Sequence, residues 1–84
     1  MDYKIEFSSK SKKFIKKLQK NVSLRLLGKF EEVSKNPFRF LEHYEGDNCF
    51  KLRIGDYRAL IDVDFQHKIL KVRIIDKRSR IYKR

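Results

Sequence analysis

A chain of 84 residues makes one domain with a small core, here residues 1–84 as a single unit, and 40% hydrophobic content in periodic segments argues for a fold over disorder. Its 22 Lys and Arg against 11 Asp and Glu leave a formal charge of +11, which points to a polyanion partner such as RNA, DNA, an acidic protein or a membrane surface. No apolar run approaches the roughly 20 residues that span a bilayer, and the alternating start is no signal peptide, so a cytoplasmic protein is expected. Cys49 is the only cysteine, which excludes an internal disulfide and fits a small buried thiol better than a nucleophile.

Residues 3–7 alternate, with Tyr3, Ile5 and Phe7 on one side and Lys4 and Glu6 on the other, the pattern of a half-buried strand. Ser8 or Ser9 offers an N-cap to a helix that follows. Phe14, Ile15 and Leu18 form its apolar face, while Lys10, Lys12, Lys13, Lys16, Lys17 and Lys20 cover the rest. Those lysines read either as a solvated face or as an RNA-facing surface. Asn21 or Ser23 can begin a second helix, with Leu26, Leu27, Phe30 and Val33 as its stripe. Asn36-Pro37 ends it, because the residue before proline avoids the helical region.

From Phe38 onward the pattern is strands. A short one covers residues 40–44, and longer ones cover about 49–54, 57–65 and 68–76. Gly55-Asp56 between two alternating runs is a hairpin signal, since Gly supplies the positive φ that primed turns demand. That register sets Ile54 opposite Tyr57 and Arg53 opposite Arg58. Like charges placed directly across a sheet repel, and two forked cations side by side suit a phosphate. A turn at Gln66-His67 sets Asp62 opposite Lys71. The strand at 68–76 is expected to turn Leu70, Val72 and Ile74 to the core and Lys71, Arg73 and Ile75 outward.

The architecture that follows is α+β, β-α-α-β-β-β, with the helix hairpin on one face of a twisted antiparallel sheet. The other face is expected to collect Lys51, Arg53, Arg58, Lys71, Arg73 and Lys77, with Asp62 and Asp64 towards one end. Residues 71–84 add Arg78, Arg80, Lys83 and Arg84, with Tyr82 among them. A phenol there can stack on a base or cap the sheet. No cluster of Cys, His or carboxylates has metal-ligand spacing, and neither a metal nor a cofactor is expected.

The run Phe50-Lys51-Leu52-Arg53-Ile54-Gly55-Asp56-Tyr57-Arg58, then an alternating strand, then Asp76-Lys77-Arg78-Ser79-Arg80-Ile81-Tyr82, resembles the RelE/ParE superfamily of type II toxin–antitoxin toxins. The resemblance covers essentially the whole chain, including Asn36-Pro37 after the helix pair. The Gly-Asp-Tyr-Arg turn is shared by both branches, while Lys51 and the Arg78…Tyr82 spacing lean towards the RelE branch. It implies a RelE-like fold and a ribosome-dependent endoribonuclease that cuts mRNA in the ribosomal A site by attack of a 2′-hydroxyl on its own phosphate. The implied roles are Lys51 as base or cation near that hydroxyl, Arg58 and Arg78 on the scissile phosphate, and Tyr82 against a nucleotide. Arg53, Lys71, Arg73, Lys77 and Arg80 would contact RNA. The implied partners are the ribosome with its mRNA and an acidic cognate antitoxin. Two other readings share the fold: a ParE-like inhibitor of DNA gyrase without nuclease activity, and a non-catalytic RNA-binding module.

Overall fold

The structure, a computed structural model, describes residues 2–77. The chain runs β1 (Lys4–Phe7), α1 (Ser9–Lys17), α2 (Lys20–Lys35), α3 (Pro37–Phe40), β2 (Glu42–Glu45), β3 (Cys49–Ile54), β4 (Tyr57–Asp64) and β5 (Ile69–Lys77). The strands form one sheet in the order β1-β5-β4-β3-β2. This is the expected α+β arrangement, with two differences. β1 pairs with β5 in parallel, so the sheet is mixed rather than antiparallel; the long route between them removes the hairpin constraint that makes chain neighbours antiparallel. The strands also begin at Glu42 rather than near Phe38, because Pro37, with its φ already helical, starts the single turn α3.

Local chemistry explains most element ends. Ser8 caps α1, its Oγ accepting from the Ser11 amide at 3.0 Å. α2 starts at Lys20, ahead of the expected Asn21 or Ser23, and Gln19 before it makes no side-chain cap. Leu26, Phe30 and Val33 are buried against Leu52, Ala59, Ile61, Val63, Leu70 and Val72 of the sheet. Phe7 meets Phe30 edge-on at 5.2 Å between centroids. Leu27, expected in the same stripe, is 40% exposed. It sits roughly 100° around the helix from Leu26, too far to share a narrow contact with the sheet.

The hairpin has the expected register, Arg53 opposite Arg58 and Ile54 opposite Tyr57, with Gly55 at φ +56°. Asp62 likewise faces Lys71. Beyond that point the register steps: Ile61 faces Val72 but Leu60 faces Ile74, leaving Arg73 as a bulge residue. One extra residue inverts the alternation that follows. Ile75, expected outward, lies opposite Ala59 in the core at 2% exposure, and Ile74, expected in the core, faces Leu60 on the open side. Lys77 falls opposite Tyr57, whose ring meets Phe14 of α1 at 5.9 Å. Its register position is therefore on the helix side, not the open face where the alternation predicts it.

The bulge exposes carbonyls that α1 satisfies. Ser8 Oγ donates to Arg73 O at 2.7 Å, the Ser8 amide to Val72 O at 2.9 Å, and the fully buried Ser11 hydroxyl lies 3.3 Å from Val72 O. The start of the helix and the kink in the strand hold each other in place.

Candidate nucleic-acid interface

Three of the rows across the open sheet face hold the candidate residues; a fourth, Asp64, Ile69 and Lys4, closes its far end. At the hairpin end, Arg53, Arg58 and Asp76 are successive neighbours on β3, β4 and β5. Arg58 is 5% exposed and its Nη1 donates to Tyr57 O at 3.2 Å and reaches Gly55 O at 3.5 Å, which fixes the guanidinium against the turn. Asp76 is 6% exposed, and its Oδ1 accepts from the Lys77 amide at 2.7 Å. The bulge makes this row. Without it, Ile75 would stand opposite Arg58 and the two arginines would have no carboxylate beside them. Asp76 offsets their repulsion and makes an otherwise unfavourable cation pair tolerable.

In the middle row, Lys51 is half-buried between Glu42 on β2 and Leu60 on β4, with Ile74 beyond. Lys51 thus lies one row from Arg53, on the same face. The third row runs Glu45, Cys49, Asp62, Lys71 and Glu6. Arg73 bridges it, Nε lying 3.3 Å from Asp62 Oδ2 and Nη1 donating to Cys49 Sγ at 3.4 Å. Cys49 is buried as expected, and burial pushes its thiol pKa up despite the hydrogen bond from Arg73. It stays a protonated structural thiol rather than a nucleophile.

The structure therefore brings Lys51, Arg53 and Arg58 together at the hairpin end, and Lys71 and Arg73 at the other. Lys77 leaves the face. Arg78, Arg80 and Tyr82 lie outside the described residues. Among the described residues this face is less basic than expected, because Glu6, Glu42, Glu45 and Asp76 share it with the cations, beside the Asp62 and Asp64 that were expected there. Sequence reasoning missed Asp76 as the neighbour of Arg58. The adjacent pair Ile74-Ile75, which breaks strict alternation, was the available sign of a bulge. Among the described residues no three His, Cys, Asp or Glu side chains gather where they could hold a metal ion. No helix among them is long and apolar enough to cross a membrane.

The helix pair over a five-stranded sheet, with the arginine hairpin on the face away from the helices, is the fold of the RelE toxins. The structure matches the RelBE2 toxin–antitoxin complex of Mycobacterium tuberculosis at 22% identity and TM-score 0.82, covering 93% of this chain and 100% of that one. It matches the archaeal RelE–RelB complex of Pyrococcus horikoshii at 24% identity and TM-score 0.78, over 95% of this chain and 99% of that one. The isolated RelE toxin of E. coli matches at 25% identity and TM-score 0.76, over 96% and 92%. No curated protein matches by sequence. Residues 5–82 match the family described as ParE toxin of type II toxin-antitoxin system, parDE. The chain belongs to that family, within the RelE/ParE superfamily, and is a toxin of RelE-like fold.

Proposed function

We propose that this toxin arrests translation in the cytoplasm by cleaving mRNA in the ribosomal A site, and that a cognate antitoxin restrains it. The observation that carries the reading is the convergence of Lys51, Arg53 and Arg58 on one sheet face of a chain in this family. Arg58, buried and already bonded to turn carbonyls, is preorganised for a charge that grows on a phosphate in the transition state. Arg78 and Tyr82 take the roles that the family resemblance implies. In the step, O2′ bonds to phosphorus as the P–O5′ bond breaks. The 2′-hydroxyl loses a proton and the 5′-oxygen gains one, leaving a 2′,3′-cyclic phosphate and a 5′-hydroxyl. Lys51 stands near the nucleophile, and alignment on the ribosome supplies much of the rate. The antitoxin reading is supported by the RelB chains named in the matched complexes.

Primer extension on programmed ribosomes tests this. Wild-type protein is expected to cut within the A-site codon, only when ribosomes are present, and Arg78→Ala to lose the cut. Folded, growth-inhibiting protein that cleaves under no condition would sink the reading. A second reading, inhibition of DNA gyrase without nuclease activity, is favoured by the ParE description of the matching family. A supercoiling assay on gyrase would then be decisive.

A further inference from the structure

Among the described residues, the net positive charge sits on the helices. Residues 9–35 hold nine Lys and Arg against two acids, Glu31 and Glu32. The other described residues hold nine cations and nine acids, so the helix pair carries their entire net charge. No acid occurs between Glu6 and Glu31. All five lysines of α1 are exposed, and none has an ion-pair partner among the described residues. Lys10, Lys13 and Lys17 form one stripe along a groove of about 240 Å³ between α1 and β5, which Phe14, Ile74, Ile75 and Asp76 also line. Lysines three and four apart on one helix repel each other, and the acid nearest this stripe is the largely buried Asp76, which lines the same groove.

We propose that α1 and the start of α2 form a second docking surface, carried by the helices rather than by the sheet rows, that takes the phosphate backbone of double-helical RNA. Flexible point charges without fixed geometry suit a repeating phosphate chain, which needs neutralisation rather than shape readout. The apolar residues of α1, Phe14, Ile15 and Leu18, pack against the core. Leu24, at the start of α2, is the large apolar side chain that this surface leaves exposed, at 57%, against six exposed lysines between Lys10 and Lys20, so charge rather than apolar area dominates it. The choice of RNA over DNA rests on the translation reading; the surface itself rests on charge placement alone.

The test is fluorescence anisotropy of the full chain on a blunt RNA duplex, without ribosomes, across a salt series. Absence of mRNA cleavage would leave this measurement untouched. The variant Lys10→Gln/Lys13→Gln/Lys17→Gln keeps helix-forming residues at exposed sites, and circular dichroism checks its fold. Lys12→Gln/Lys16→Gln provides an independent second variant. The triple variant is expected to bind about tenfold weaker at moderate salt, with the slope of log K against log salt shallower by about two to three. Arg53→Gln, on the sheet face, is expected to shift the slope by no more than about one. Unchanged affinity and slope in both helix variants would overturn the proposal. So would tighter, helix-dependent binding to a DNA duplex, or intact RNA binding with lost binding to phosphatidylserine vesicles.

Discussion

Arg53 and Arg58 face each other with the same charge, yet they stand in opposite environments. Arg53 is exposed, whereas Arg58 is buried, bonded to the turn and next to Asp76. Arg58→Ala is expected to cost about 2–3 kcal/mol, since it empties a buried position, removes the bonds to the turn carbonyls and takes the neighbouring cation from the buried Asp76. Arg53→Ala is expected to stay within about 0.5 kcal/mol of wild type. Urea unfolding of both variants measures the contrast, and equal losses would contradict it. Toxicity lost in Arg58→Ala therefore has to be read beside its stability. Ser11→Ala removes a buried hydroxyl that serves Ser8 O and Val72 O, and is expected to cost about 1–2 kcal/mol in the same assay. At the sheet's far end, the His67 amide and then its ring hold the Asp64 carboxyl below the usual range. A depressed folded pKa contributes stability that is present above the unfolded pKa and disappears as pH falls through the folded one. Wild type is thus expected to exceed Asp64→Asn in stability at neutral pH, with the gap closing in acid. A gap independent of pH would refute this.

Among the elements, α2 carries a correctable weakness. Gly28 lies in its interior, a Cβ there would meet nothing within 4 Å, and its backbone is not left-handed. Gly28→Ala is expected to add about 0.5–1 kcal/mol, seen as a rise in Tm with no loss of toxicity. β5 is the element on which sequence and structure part. The Gly55-Asp56 turn, the Ser8 cap, the Asn36-Pro37 stop and the pairing of Asp62 with Lys71 were all legible, because each depends on residues close in sequence or on unbroken alternation. The Arg73 bulge depends on the start of α1, more than sixty residues away, whose two serines take the carbonyls that the bulge exposes. No local pattern contains that contact.

For the whole molecule, the helix pair is a surface of largely like charge. Screening should relieve it, so raising NaCl from about 10 mM to physiological strength is expected to increase Tm by a few degrees. A Tm that falls over this range would mean that attractive pairs dominate instead. Among the described residues the sheet face is close to electrically balanced, so recognition by them depends on where each charge stands rather than on how many there are.

By itself the sequence determined the fold class, the arginine hairpin and the family, because hydrophobic period, turn chemistry and a contiguous motif are local properties. It also determined the net charge. Only the tertiary structure decided where that charge lies, which isoleucine enters the core, that Lys77 leaves the open face and that Asp76 stands beside Arg58. Side-chain facing along a strand is a parity. A single inserted residue reverses it, and whether that residue is accommodated is decided by a helix that packs from the other end of the chain.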